Sequence, residues 1–399
     1  MARPFFSKDH ISDVDIFERT SVITLDLFAA RSNKSRPIDI QDLVSLFTLD
    51  SASEFLFGIR LDTPSRPLTE PGKVKLGPKG SMVIDRSDEF DVFTEAFERV
   101  AVLITQRGAQ GPTWPLLELF KDLIEEPIQV IMDWLDLLVK VALKKKMKSL
   151  GIVPETKDAV FLDFLASQTD DFEHIRYELV TYLIVSRDTC VSSSMKSSDC
   201  TPSAPLVART SGDVPPVIPT SNGPMHFPRR TQVMMASLLL HRRYNLWGKD
   251  ADEFLPERWL DEKTLINVNS TPFMYCPFSG RPHNCIGQEF AFNETAYFLV
   301  RLLQRFKAFE LAPQCQPTGS LPNPAWNGKP GRQSVEQIVP AINTTIHSKY
   351  LQHMTYHLSP TVTNSWKVVA AHGNSSAVIL GQVVPAPALT SSGRVILTT

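Results

Sequence analysis

The chain has 399 residues, 43% hydrophobic and 21% charged, a globular balance that excludes disorder throughout and supplies enough chain for a large core. Its 41 Lys and Arg stand against 43 Asp and Glu, so the formal charge of −2 excludes a protein that holds nucleic acid by bulk charge. Five cysteines in so long a chain make no disulfide scaffold, and the odd count fits a reducing compartment. The first ten residues, MARPFFSKDH, have no apolar h-region of a secretory signal. No stretch reaches the ~18 consecutive apolar residues of a membrane span, so the expectation is a soluble or peripheral chain.

Helical spacing dominates the first half. Asp13–Leu27 repeats Val14, Phe17, Val22 and Leu25, and Gln41–Ile59 repeats Leu43, Phe47, Ala52, Phe55 and Leu56. Asp88–Arg107 and Ile128–Met147 are two further amphipathic stretches, and Phe161–Arg187 holds another pair, strongly apolar over Tyr177–Val185. Pro64–Pro78, rich in Pro, Gly and Lys, reads as a loop. The run Lys144-Lys145-Lys146-Met147-Lys148 reads as a solvated helix C-terminus, where cations oppose the negative dipole end, rather than as a docking patch.

The composition then changes. From Val191 to Pro224, 19 of 34 residues are Ser, Pro, Thr or Gly and no apolar period survives, which predicts a flexible linker. Thr231–Leu238 predicts a strand, and His241 with Arg242 and Arg243 reads as a solvated strand end rather than as a basic patch. A polar loop punctuated by Trp and Pro runs to Trp259. Gly287–Phe306 predicts a long helix carrying Phe290, Ala291, Tyr297, Phe298, Leu302 and Phe306. Beyond Leu311 the chain is loop-like, and past Thr361 it holds only short β-like pieces at Lys367–Ala370 and Ala377–Leu380, with little order expected around them.

The segment that carries chemistry is Pro277-Phe278-Ser279-Gly280-Arg281-Pro282-His283-Asn284-Cys285-Ile286-Gly287-Gln288-Glu289-Phe290-Ala291. A turn-rich stretch delivers a lone cysteine to the start of a long helix. Unsatisfied backbone N–H groups and the positive dipole end favour a thiolate there, and Gly287 lets the backbone approach a bulky planar partner. A lone stabilised thiolate suits a redox metal or a nucleophile; the competing reading is a small core hydrophobe. Cys190, Cys200, Cys276 and Cys315 have no metal-ligand spacing and read as structural or incidental.

This segment resembles the haem-binding loop of the cytochrome P450 family, Phe-x-x-Gly-x-Arg-x-Cys-x-Gly with Ala four residues on. Phe278, Cys285, Gly287 and Ala291 fall on that pattern. Arg281 stands at the family's Gly, beside Gly280, and His283 stands at its Arg. Phe254-Leu255-Pro256-Glu257-Arg258-Trp259 resembles the family's Pro-Glu-Arg-Phe/Trp segment. Val185-Ser186-Arg187-Asp188-Thr189-Cys190 resembles the distal-helix motif Ala-Gly-x-Asp-Thr-Thr, with Ser186 for the Gly and Cys190 for the second Thr. Arg3-Pro4-Phe5-Phe6-Ser7 resembles the segment that follows the family's early Trp-x-x-x-Arg helix. The texture of Cys285–Glu294 and Arg3–Thr20 is most similar to fungal members that hydroxylate long-chain alkanes and fatty acids.

The resemblance implies a mainly α fold with a small β component, the cytochrome P450-like fold, but incomplete. The similarity starts after the family's membrane anchor, N-terminal sheet and Trp-x-x-x-Arg helix. The family's Glu-x-x-Arg helix has no counterpart, because the interval 191–224 contains no Glu. Glu173-His174-Ile175-Arg176 matches it literally but lies upstream of the distal motif, and Arg258 is left without its usual ionic partner. The expected division is 1–190 as the helical part with the distal helix, 191–224 as linker, 225–312 as the haem-binding part and 313–399 as a loop-rich tail.

The implied cofactor is haem b, with Cys285 as axial iron ligand and Phe278, Gly280, Arg281, His283, Gly287 and Ala291 around it. Phe278 would shield the sulfur and His283 would anchor a propionate. Asp188 and Thr189 would sit across the haem and deliver protons to bound oxygen. The implied reaction inserts one oxygen atom from O2 into an apolar substrate, with electrons from NADPH through a separate reductase and no nucleic-acid partner. Members of the family reside at the endoplasmic reticulum membrane. Two other readings stand beside this one: a degenerate haemoprotein relic without turnover, and a non-enzymatic helical interaction protein with Cys285 in its core.

Overall fold

The computed structural model describes residues 2–6, 14–32, 38–61, 75–76, 82–83, 89–148, 160–195, 202, 204–253, 255–271, 273–280, 283–311, 323–329, 340–342, 346–348, 353–358, 366–371 and 376–381. Two compact units make up the chain, Met1–Met195 with Ile286–Thr399, and Lys196–Cys285.

The first unit is helical: α1 (Val14–Ser32), α2 (Ile40–Phe57), α3 (Glu89–Gln110), α4 (Glu125–Lys148), α5 (Phe161–Gln168) and α6 (Phe172–Met195). Each covers a stretch that apolar spacing marks as helical. α4 shows why. Glu125 and Glu126 face its positive end and Lys145, Lys146 and Lys148 its negative end, while Ile131, Leu135, Val139 and Ala142 bury one stripe. Two of its lysines also pair, Lys145 with Asp163 at 2.6 Å and Lys146 with Asp170 at 2.8 Å, so the basic run is a helix end tied to its neighbours. Arg176 of the literal Glu-x-x-Arg match bonds Glu173 and, at 3.2 Å, Asp136, which joins α6 to α4.

After α7 (Glu262–Ser270) and the cysteine loop comes α8 (Gln288–Arg305), which belongs to the first unit and packs on α1 and α6. Its inner face, Phe290, Ala291, Glu294, Phe298 and Leu302, follows helical spacing. Phe290 meets Phe17 at 5.3 Å and Phe55 at 4.5 Å between ring centroids, and Phe298 meets Phe47 at 4.5 Å. Buried Glu294 accepts a hydrogen bond from buried Ser51 of α2. Tyr297 donates to Glu18 at 2.6 Å, and Arg301 bonds the same carboxylate.

The β content is small, as expected. In the first unit β1 (Ile38–Asp39), β6 (Phe306–Leu311) and β7 (His353–Leu358) form one antiparallel sheet in the order β1-β7-β6. β8 (Trp366–Ala371) pairs with β9 (Ser376–Gly381), covering the two β-like pieces of the tail.

The stretch expected to be a linker differs from that expectation. Residues 191–195 end α6, and strands β2 (Val207–Thr210), β3 (Val217–Thr220) and β4 (Gly223–His226) follow. β3 and β4 form a hairpin over Ser221–Asn222, with Gly223 at φ +105° where a side chain would be strained. β2 pairs with β5 (Gln232–Met235), the strand expected in Thr231–Leu238. Pro219 and Pro224 are tolerated because each pair has only two strands and both lie at an edge. Composition hid these strands because their side chains are mostly exposed, leaving no buried apolar stripe to read.

Candidate functional site

The second unit has a compact aromatic centre. Trp259 and Tyr275 lie 4.5 Å apart, Trp247 donates from Nε1 to the Leu240 carbonyl at 3.2 Å, and Trp247, Trp259, Met274, Cys276 and Phe278 are buried. Arg258 finds partners other than the missing Glu-x-x-Arg pair. Its guanidinium donates to the Asp250 carbonyl at 3.0 Å, lies 3.7 Å from the Asp250 carboxylate and stacks over Trp247. The Pro-Glu-Arg-Trp segment is thus anchored within its own unit.

From this centre the chain enters the cysteine loop. The Ser279 N–H donates to the Cys276 carbonyl at 3.2 Å, His283 N–H to Gly280 at 2.9 Å, and Cys285 N–H to Phe278 at 3.0 Å. These bonds fold the loop back so that Cys285 returns beside the residue at which it began. Among the described residues of the loop, Ser279 is left-handed, at φ +66°. Gly280 sits close under another side chain: a Cβ there would lie 2.3 Å from the ring of exposed Phe273, which would have to shift. Two residues after Cys285, Gly287 caps α8, and its carbonyl accepts from Ala291 N–H at 2.9 Å.

The predicted residues fall as follows. Phe278 is buried, Cys285 half-buried, His283 exposed and Ala291 buried on α8. Arg281 lies outside the described residues. Asp188 and Thr189 belong to the last two turns of α6, in the other unit; their side chains lie outside what is described. Cys276 and Cys285 are both thiols. Burial pushes the Cys276 thiol up, so it stays protonated and fits the structural role expected of it.

One residue was misread from sequence. His241 is 1% exposed, not a solvated strand end. Its ring stacks on Tyr275 at 5.0 Å and its Nε2 accepts the Cys276 N–H at 3.0 Å. The flanking Arg242 and Arg243 concealed it; the usable signal was the apolar Leu238-Leu239-Leu240 just before it.

The residues present fit a haem held through one sulfur. Cys285 is a half-buried thiol at the mouth of a self-closed loop, with a helix start behind it. Among the described residues no group of three His, Cys, Asp or Glu side chains could hold a bare ion. A single soft donor suits an iron whose remaining ligands come with the prosthetic group.

Residues 218–331 match the family model described as Cytochrome P450. Cytochrome P450 52C2 of Candida maltosa is 28% identical over 357 residues, covering 77% of this chain and 66% of that protein. Cytochrome P450 monooxygenase g430 of a Fusarium species is 27% identical over 398 residues, covering 84% and 66%. Cytochrome P450 52E1 of Candida apicola is 26% identical over 365 residues, covering 78% and 66%. The chain spans just under two thirds of the length of these curated relatives.

Proposed function

We propose that this chain, a relative of the cytochrome P450 proteins, is a haem-thiolate monooxygenase that inserts one oxygen atom from O2 into an apolar substrate. The observation that carries the reading is the cysteine loop, closed on itself from Phe278 to Cys285 and leading straight into α8. When bound, the thiolate-ligated haem supplies the oxygen activation.

The chain's own residues do the rest. Cys285, at a place just before a helix start that favours a thiolate, would hold the iron through its sulfur. Buried Phe278 keeps water from the sulfur, which preserves its basicity. Exposed His283 offers a ring N–H to a haem propionate. Thr189 holds a proton at its hydroxyl and Asp188 replenishes it, the general-acid work that oxygen activation needs. Electrons reach the site from NADPH through a separate reductase.

A long-chain alkane or fatty acid is the substrate class, in keeping with the likeness to fungal hydroxylating members. Contact with the endoplasmic reticulum membrane belongs to the same reading. Among the described residues no helix is long and apolar enough to cross a membrane. However, Leu116, Leu117, Leu119 and Phe120, on either side of Glu118, are exposed, Phe120 completely, as a surface that dips into lipid would have them. The absence of any Glu in 191–224 favours a second reading, a relic that no longer retains haem.

A ferrous-CO difference spectrum of the haem-supplemented chain tests the proposal. A strongly red-shifted Soret band that is lost in Cys285→Ala supports it. Absence of the band in wild type sinks it and leaves the relic.

A further inference from the structure

We infer that His241 is a positioning residue for Cys285, fixing the thiolate loop through a single hydrogen bond to its entry segment at Cys276. The inference rests on the haem-thiolate reading for its functional meaning, though its geometry stands within one unit of the chain.

The imidazole is held from several sides. Its own backbone N–H donates to Ser237 at 3.0 Å. Its ring stacks on Tyr275 at 5.0 Å with planes 25° apart, and it neighbours Trp247 at 6.3 Å. Nε2 accepts the Cys276 N–H at 3.0 Å, and both residues are buried, at 1% and 3% exposure. A ring nitrogen that accepts carries no proton, so His241 is neutral with its proton on Nδ1.

The anchored amide is the point from which the loop is built. Cys276 offers its carbonyl to Ser279 N–H, and Phe278, two residues on, offers its own to Cys285 N–H. Three hydrogen bonds therefore run from His241 to Cys285 in series: imidazole to Cys276, Cys276 to Ser279, Phe278 to Cys285. Removing the first leaves a buried N–H without its acceptor, and the cheapest relief is movement of the Cys276 segment toward water. That movement carries Phe278 and Cys285 with it. His241 touches no reacting atom; it sets where the sulfur stands.

The test compares His241→Gln, whose amide oxygen reaches the Nε2 position, with His241→Asn and His241→Phe, which place no acceptor there. Two readouts are taken on the full chain: the alkylation rate of Cys285 by iodoacetamide, followed by peptide mass spectrometry without haem, and the thiolate Soret band with haem. The expected result is that Asn and Phe raise Cys285 alkylation on the order of tenfold and lower the thiolate-ligated fraction, while Gln stays near wild type. A role in filling space alone would not separate Gln from Asn.

The inference is overturned if Gln and Asn behave alike, or if both leave Cys285 reactivity unchanged. Should the Phe variant fail to fold, the Gln and Asn pair decides. Hydrogen exchange in wild type adds an independent arm: a fast-exchanging Cys276 amide in the folded chain also overturns it. If wild type shows no thiolate Soret band, the haem reading fails, and the alkylation rates still judge His241.

Discussion

Ser279 holds a left-handed conformation in which a Cβ is strained, at a cost of ~1–2 kcal/mol for an L-residue. Ser279→Gly removes the strain and should leave the urea midpoint unchanged or slightly higher. Ser279→Val puts a β-branched side chain there and should lose ~1–2 kcal/mol together with part of the thiolate Soret band. A Val variant as stable as wild type would show that the turn is not strained. Tyr297 gives a prediction in pH. Burial, then the Glu18 carboxylate that accepts its hydrogen bond, pushes its phenol up to about 12. The folded state thus keeps the proton more tightly than the unfolded one, whose tyrosines titrate near ~10. The stability that this contributes is intact below pH ~10 and is lost as pH rises toward about 12. Tyr297→Phe should flatten the fall over that window, read by urea unfolding at stepped pH. Among single residues, Cys285 stands out in the sequence because Phe278, Gly287 and Ala291 around it fall on one pattern. His241 was not, because what buries it, Tyr275, arrives from more than thirty residues downstream.

Elements were legible wherever one side is buried. α1 to α6 and α8 coincide with stretches of 3.6-residue apolar spacing, since each lays a stripe against the core. The β3–β4 hairpin buries nothing on either strand, so its residues record only turn chemistry, Asn222–Gly223, within a stretch whose composition looks like linker. The segment between α3 and α4 is the opposite case, apolar residues with no core to enter. Arg107 fixes its fold by stacking on Trp114 at 4.0 Å and bonding Glu118 and Asp122, whose carboxyls it helps hold below the usual range. The apolar side chains beyond are left outside. If this element meets lipid, Phe120→Ser with Leu117→Ser should lower sedimentation with phosphatidylcholine vesicles several-fold at unchanged helical circular dichroism, since each large apolar side chain contributes ~1.5–3 kcal/mol on burial. Equal sedimentation would remove the membrane from the proposed function.

At the scale of the whole molecule the two units differ in how well they support themselves. Among the described residues the twelve largest fully buried side chains, from Phe5 to Leu135, all lie in the first unit, whereas Lys196–Cys285 has a small aromatic centre and strands that are largely exposed. A unit of that size with so little buried surface is marginal alone. It also holds Cys285, so a group bound through that sulfur adds its binding free energy to the stability of the part that most needs it. Mass action sets the size: free haem at about 100 times its dissociation constant adds ~2.7 kcal/mol. Trp247 and Trp259 report from within this unit, and their unfolding transition should move to higher urea as haem is added, by an increment that Cys285→Ala abolishes. A transition that ignores haem in wild type would mean that the loop keeps its shape without its ligand. The chain would then be a folded relic of a monooxygenase, its second unit held together by His241, Arg258 and their aromatic neighbours without a bound group.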